Sequence, residues 1–123
     1  MTLPEDPLDS ATRAQAVPVL TARPSVRSHQ LQQVEGPGAP QMVELHGASL
    51  VIGRSPEADL RIPSSSLSRQ HMRLDRSDDG WTATDLDSSN GVYLNEIRVH
   101  AVELRDGDTI QLGDALFVYF EGR

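Results

Sequence analysis

Past Ser28, the apolar residues fall into short runs that mostly alternate with a period of two, and a turn signal separates each run from the next. Gln30 to Val34 comes first, then Gly36-Pro37-Gly38 with Pro40, Met42 to Leu45, and Gly47. Leu50-Val51-Ile52 ends at Gly53, and Leu60 and Ile62 bracket Arg61 before Pro63. Met72 and Leu74 alternate with Arg73 and Asp75, and Ser77-Asp78-Asp79-Gly80 turns the chain into Trp81 to Leu86. Val92 and Leu94 flank Tyr93, Ile97 and Val99 flank Arg98, and Asn95-Glu96 between them predicts a tight hairpin turn. Asp106-Gly107-Asp108 precedes Ile110 and Leu112, Gly113-Asp114 turns again, and Leu116 to Phe120 closes the series. A spacing of about 8–12 residues with strand period, and no sustained 3.6-residue stripe, excludes a helical fold and predicts an all-β sandwich or barrel of about ten or eleven short strands. Residues 28–123 form the expected domain.

Residues 1–27 have a different texture. They hold Pro4, Pro7, Pro18 and Pro24, few large apolar residues and no period, and they predict a flexible N-terminal tail. Asp9 to Ala16 has the composition for a helical turn or two, stopped by Pro18. Bulk properties narrow the function. With 123 residues there is chain for one real core. The absence of cysteine rules out disulfides and thiolate metal sites. A formal net charge of -7 argues against general nucleic-acid binding, which needs a basic face. No apolar run approaches the roughly 18 residues of a membrane span, and no basic-then-apolar signal pattern opens the chain, so the expected location is the cytoplasm. All basic residues are Arg, so any anion site must use the planar guanidinium fork, which suits bidentate phosphate contacts.

The polar clusters sit where apolar runs end. They are Gly53-Arg54-Ser55, Ser68-Arg69-Gln70-His71, Asp85-Leu86-Asp87-Ser88-Ser89-Asn90-Gly91, and Asn95. Arginine, hydroxyls and an asparagine amide on neighbouring loops are groups that hold a phosphate and the backbone beside it. With Leu104-Arg105-Asp106-Gly107-Asp108, the order and spacing of these clusters resemble the forkhead-associated (FHA) domain over roughly Gln30 to Phe120. The resemblance implies a sandwich of two twisted antiparallel sheets whose loops at one end bind phosphothreonine peptides. It implies that Arg54 and Ser68 meet the phosphate, that Ser89 lies near it, and that Asn90 holds the ligand backbone. Arg69 is a second candidate contact from the Ser68 loop. Gly53, His71, Asp85, Ser88, Gly91 and Asn95 are expected to support the site. The implied partner is a phosphothreonine-containing protein, a Ser/Thr kinase or its substrate, with an adjacent effector domain in a longer protein as a further possibility. No cofactor, metal or catalytic group is expected. Three departures from the family pattern stand out: Ser88-Ser89 replaces Ser-Thr, Val92 stands where Thr is frequent, and Glu96 follows Asn95 where Gly is frequent.

Each residue also has a plainer reading. Arg54 and Arg69 are compatible with solvent-facing arginines, Ser68 with a turn cap, and Asn90-Gly91 with an ordinary turn pair. His71 suits a loop-shaping hydrogen bond better than metal binding, since His29, His46 and His100 show no ligand spacing with it. Asp106-Gly107-Asp108 lacks the rest of a calcium loop, and Trp81 suits the core. Three other functions remain open. One is a phosphate-independent interaction or self-assembly domain on the same fold. Another is a small hydrolase built on Ser68, His71 and Asp85, although no nucleophile elbow accompanies them. The last is self-regulation by a phosphorylated tail threonine, with Thr2, Thr12 and Thr21 available.

Overall fold

The computed structural model describes residues 28–78 and 80–122. The expectations for residues 1–27, including the helical turn near Asp9 and the tail threonines, lie outside the described residues. Among the described residues the chain forms eleven strands and no helix. They are β1 (His29–Glu35), β2 (Gln41–Glu44), β3 (Ser49–Gly53), β4 (Leu60–Arg61), β5 (Met72–Arg76), β6 (Trp81–Asp85), β7 (Val92–Leu94), β8 (Ile97–Val99), β9 (Ala101–Glu103), β10 (Thr109–Leu112) and β11 (Ala115–Glu121). One sheet has six strands in the order β2-β1-β11-β10-β7-β8, and the other has five in the order β4-β3-β5-β6-β9. The expected sandwich of two mostly antiparallel sheets is therefore present. The exception is the pairing of β3 with β4, which is parallel, Ile52 opposite Leu60 and Gly53 opposite Arg61.

Alternation explains the core. In β1, His29, Leu31 and Gln33 point inward, and in β11 Ala115, Phe117 and Tyr119 do the same. The facing sheet contributes Ile52, Met72, Leu74, Trp81 and Ala83. Each large apolar side chain buried this way contributes about 1.5–3 kcal/mol relative to exposure. Gln33 is a buried polar exception and is satisfied locally. Its amide donates to the carbonyls of Glu35 (3.0 Å) and Pro37 (2.9 Å), and its carbonyl accepts from Gln41 Nε2 (2.6 Å). It thus shapes the turn between β1 and β2. Tyr119 and His29 share a 2.6 Å hydrogen bond. Burial first, then Glu121, Asp106, Asp108 and Glu103, push the Tyr119 phenol up to about 12.

One strand, β9, has no counterpart in the sequence reading. Only its central Val102 is half-buried, so no apolar alternation marks it. Just one residue, His100, separates it from β8, yet the two strands belong to different sheets. A strand of three residues with a single inward side chain leaves too little pattern to read.

The β7–β8 hairpin turns on Asn95 and Glu96, whose φ values are 48° and 73°. Two consecutive left-handed residues make the two-residue turn that matches sheet twist. Asn95 tolerates this conformation, and its Oδ1 accepts hydrogen bonds from Thr109 N–H (2.9 Å) and Oγ1 (3.1 Å). Glu96 has no such compensation and carries the left-handed strain. Glu96→Gly is expected to stabilise the fold by about 0.5–1 kcal/mol, after glycine's larger unfolded-state entropy is subtracted. A thermal melt reads this as a rise of a few degrees, roughly 4–8 °C per kcal/mol for a domain of about this size.

Candidate functional site

The ends of β3 and β6 and the starts of β5 and β7 bring three loops to one end of the sandwich. The first two lie edge to edge through backbone bonds. Arg54 N–H donates to the Ser68 carbonyl (3.0 Å) and Ser55 N–H to the Arg69 carbonyl (3.1 Å). Only glycine fits where they meet. A Cβ on Gly53 would overlap the Arg69 carbonyl oxygen and lie 2.8 Å from its carbon and 3.0 Å from Gln70 Cα.

His71 joins the second loop to the third. Its ring is fully buried. Ser68 N–H donates to Nδ1 (3.0 Å), which makes Nδ1 an acceptor and places the ring proton on Nε2. Nε2 then donates to the Gly91 carbonyl (2.8 Å). The main chain of His71 is held as well, by Ile52 (2.9 Å) and Leu86 (3.0 Å). One imidazole therefore sets the distance between the Ser68 loop and the Asn90 loop. The third loop is also tied internally. Asp85 Oδ1 accepts from Ser88 N–H (3.0 Å), and Ser88 Oγ accepts from Gly91 N–H (2.9 Å). These local side-chain bonds stand in for a regular turn.

The resulting cleft, of about 400 Å³, is lined by all five residues expected to contact a ligand: Arg54, Ser68, Arg69, Ser89 and Asn90. Arg54 is half-buried, and its Nε donates to the Leu67 carbonyl (3.1 Å). That bond fixes the plane of the guanidinium, whose terminal nitrogens have no partner among the described residues. Ser68 Oγ accepts from Ser89 N–H (3.0 Å), so its own proton is left to donate elsewhere. Asn90 Nδ2 donates to the Ser66 carbonyl (2.7 Å), which orients its carbonyl oxygen. Arg69 is exposed, and its guanidinium has no partner among the described residues.

The placement of Asn95 differs from the expectation that it supports the site. Strand β7 carries it about 13 Å along the chain from Gly91, at roughly 3.3 Å per residue. Its side chain holds Asp108 (3.0 Å) and Thr109 instead, bracing the turn before β10. The hydrolase arrangement is not assembled either. Both ring nitrogens of His71 face backbone groups, Ser68 Oγ bonds Ser89, and Asp85 bonds Ser88. No group of three or more metal-ligating side chains exists among the described residues.

Two supports had no marker in the sequence reading. Arg61 Nε donates to the Arg54 carbonyl (3.1 Å), holding that residue's main chain from β4. Asp114, in the β10–β11 turn, accepts from Ser64 Oγ (2.6 Å) and Ser66 Oγ (2.8 Å) through one carboxylate oxygen, while its N–H donates to Ser66 Oγ (2.9 Å). The Ser64 bond, then the Ser66 bond, holds the Asp114 carboxyl below the usual carboxylate range. Ser66 thereby links Asp114 to Asn90. A serine triplet beside a motif gives no hint of this, because the partner lies 48 residues away.

Comparison with known proteins agrees with this geometry. A family model described as FHA domain matches residues 50–113. The oxoglutarate dehydrogenase inhibitor of Corynebacterium diphtheriae is 32% identical over 87 residues, covering 71% of this chain and 61% of that protein. A structure from a structural and functional analysis of phosphothreonine-dependent FHA domain interactions superposes with a TM-score of 0.70 at 31% identity, covering 76% of this chain and 95% of the other. EmbR of Mycobacterium tuberculosis in complex with a low affinity phosphopeptide superposes with a TM-score of 0.72 at 29% identity, covering 77% of this chain and 24% of that one. The chain belongs to the FHA domain family. It spans about three-fifths of the length of the curated relative described here.

Proposed function

We propose that this chain is a phosphothreonine-dependent peptide-binding module that acts as a signalling adaptor or regulatory domain and has no catalytic activity of its own. The observation that carries this reading is the fixed Arg54 guanidinium, with terminal donors directed to no other described group, in one cleft with Ser68 and Asn90. A phosphothreonine brings about −1.5 to −2 charges and three acceptor oxygens. Arg54 supplies a planar fork, Ser68 a hydroxyl donor and Arg69 a second cation. Asn90, with a free carbonyl oxygen and one remaining amide proton, is suited to the ligand backbone. Charge-assisted bonds contribute roughly 1.5–3 kcal/mol each. Less the ordering cost of a peptide, a few of them give a reversible affinity on the order of micromolar. The overall negative charge opposes the ligand weakly, because exposed charges more than about 8 Å away are largely screened at physiological salt.

The partner in this reading is a protein phosphorylated on threonine, either a Ser/Thr kinase or a kinase substrate, in the cytoplasm where ATP-dependent kinases act. Calorimetric titration with a degenerate phosphothreonine peptide pool tests it, beside phosphoserine and unphosphorylated pools of the same composition. Micromolar binding is expected for the phosphothreonine pool, weaker binding for phosphoserine, and none without phosphate. Equal heats from the phosphorylated and unphosphorylated pools would replace this reading with a phosphate-independent interaction domain.

A further inference from the structure

We propose that Arg98, on β8, is a specificity-determining residue that selects an acidic side chain on the peptide flanking the phosphothreonine; the inference rests on the binding reading above. Arg98 is exposed and lies against Gly91, the residue that follows the cleft-lining Asn90. A Cβ built on Gly91 would sit 2.7 Å from Arg98 Nε, 3.0 Å from its Cζ and 3.3 Å from a terminal nitrogen. The guanidinium therefore rests on the backbone of the residue that follows Asn90. Gly91 meets two demands there, since its φ is +83° and the space a side chain would need is filled by Arg98.

Arg98 has no hydrogen-bond or ion-pair partner for its guanidinium among the described residues. Among the described residues the ion pairs are Glu44 with His46 and Arg73 with Asp75, and neither involves it. Like Arg54 and Arg69 in the cleft, Arg98 is a cation without an acid, in a chain of net charge -7.

The path a ligand would take is also visible. Asn90 lines the phosphate cleft, and it also lines a second hollow of about 340 Å³ with Tyr93, Gln111 and Gly113. Register places Gln111 opposite Tyr93 and Tyr93 opposite Arg98 on the outer face of the six-stranded sheet. A peptide clamped by Asn90 has this hollow as its next surface, with Arg98 just beyond its rim, beside Tyr93 in the β7–β8 register. An extended chain advances about 3.3–3.6 Å per residue, so a side chain within a few positions of the phosphothreonine reaches that rim. The lining of the hollow carries no charged side chain, so Arg98, its neighbour through Tyr93, is the group that would read charge there, and the charge it would read is negative.

The test uses the full chain and fluorescence anisotropy. The probes are labelled alanine-rich peptides with one phosphothreonine and a single Glu moved through four positions on either side. Wild type is expected to bind one or two of these peptides about two- to fivefold more tightly than the all-alanine-flank peptide, the range for an exposed charge pair. Arg98→Gln should erase that preference and leave the all-alanine-flank peptide within about twofold of wild type, and Arg98→Glu should invert it. Absence of any Glu preference in wild type, or a preference that survives Arg98→Gln, overturns the proposal. So does an equal weakening of every peptide in Arg98→Gln, which would make Arg98 a structural cover for Gly91. Failure of wild type to bind the all-alanine-flank peptide would be a separate result, overturning the binding reading and this proposal with it.

Discussion

Arg54→Ala is expected to reduce phosphothreonine-peptide affinity by roughly 30- to 700-fold, the equivalent of about 2–4 kcal/mol, while leaving the domain folded. The magnitude follows from what the guanidinium offers. Nε is committed to the Leu67 carbonyl, so the terminal nitrogens are presented together and in a fixed plane. Removing them takes away up to two charge-assisted bonds at once and leaves Arg69, an exposed arginine, as the nearest cation in the cleft. The cost to folding is smaller. The side chain makes one hydrogen bond to a loop carbonyl, worth about 0.5–1.5 kcal/mol, and the backbone bonds from Arg54 N–H and to its carbonyl survive the substitution. Arg54→Lys refines the result. It keeps the charge but cannot bond Leu67 and present a planar pair simultaneously, so an intermediate loss is expected. Isothermal titration together with a urea melt separates binding from stability. Unchanged affinity in Arg54→Ala, with the fold intact, would remove Arg54 from the ligand and with it the proposed mode of phosphate capture.

The parts of this molecule legible in the sequence are those that local chemistry determines. Strand β5 announces itself because Met72 and Leu74 must point one way and Arg73 and Asp75 the other. The loop from Asp85 to Gly91 is legible because its residues bond one another over three positions. What the sequence withholds is set by approach between distant segments. That Asp114 would gather Ser64 and Ser66, and through Ser66 steady Asn90, depends on the β10–β11 turn arriving beside the β4–β5 loop. That His71 would direct one ring nitrogen to each of two loops depends on both sheets being closed around it. Asn95 shows the converse. It stands close to the other site residues in sequence, yet a three-residue strand is enough to move it out of the cleft. Motif membership therefore predicted which residues gather at the site better than it predicted what each of them bonds.

Gly53→Ala is expected to harm the fold and the cleft together. The residue is not in a left-handed conformation; its constraint is proximity, because the Arg69 carbonyl and Gln70 Cα pass over it where β3 runs out. The atoms that a methyl group would meet all belong to backbone, so no side chain can swing aside. Relief requires the Ser68–Gln70 segment to lift, which strains the Arg54–Ser68 and Ser55–Arg69 backbone bonds and the Ser68 N–H bond to His71. Overpacking of this kind costs about 1–3 kcal/mol and sometimes more. Because the segment that must move carries Ser68 and Arg69, peptide affinity should fall together with stability. Gly47→Ala is the matched comparison. Gly47 has φ +73° but nothing within 4 Å of its Cβ position, so it isolates the cost of backbone conformation alone, about 1 kcal/mol. Chemical denaturation of the two variants, with phosphopeptide titration of each, should show Gly53→Ala losing more stability and also losing affinity, and Gly47→Ala losing stability only. If Gly53→Ala instead matched Gly47→Ala in stability and bound peptide like wild type, the close approach of the two loops would not be what positions Ser68, and the coupling between fold and cleft would have to run through His71 alone.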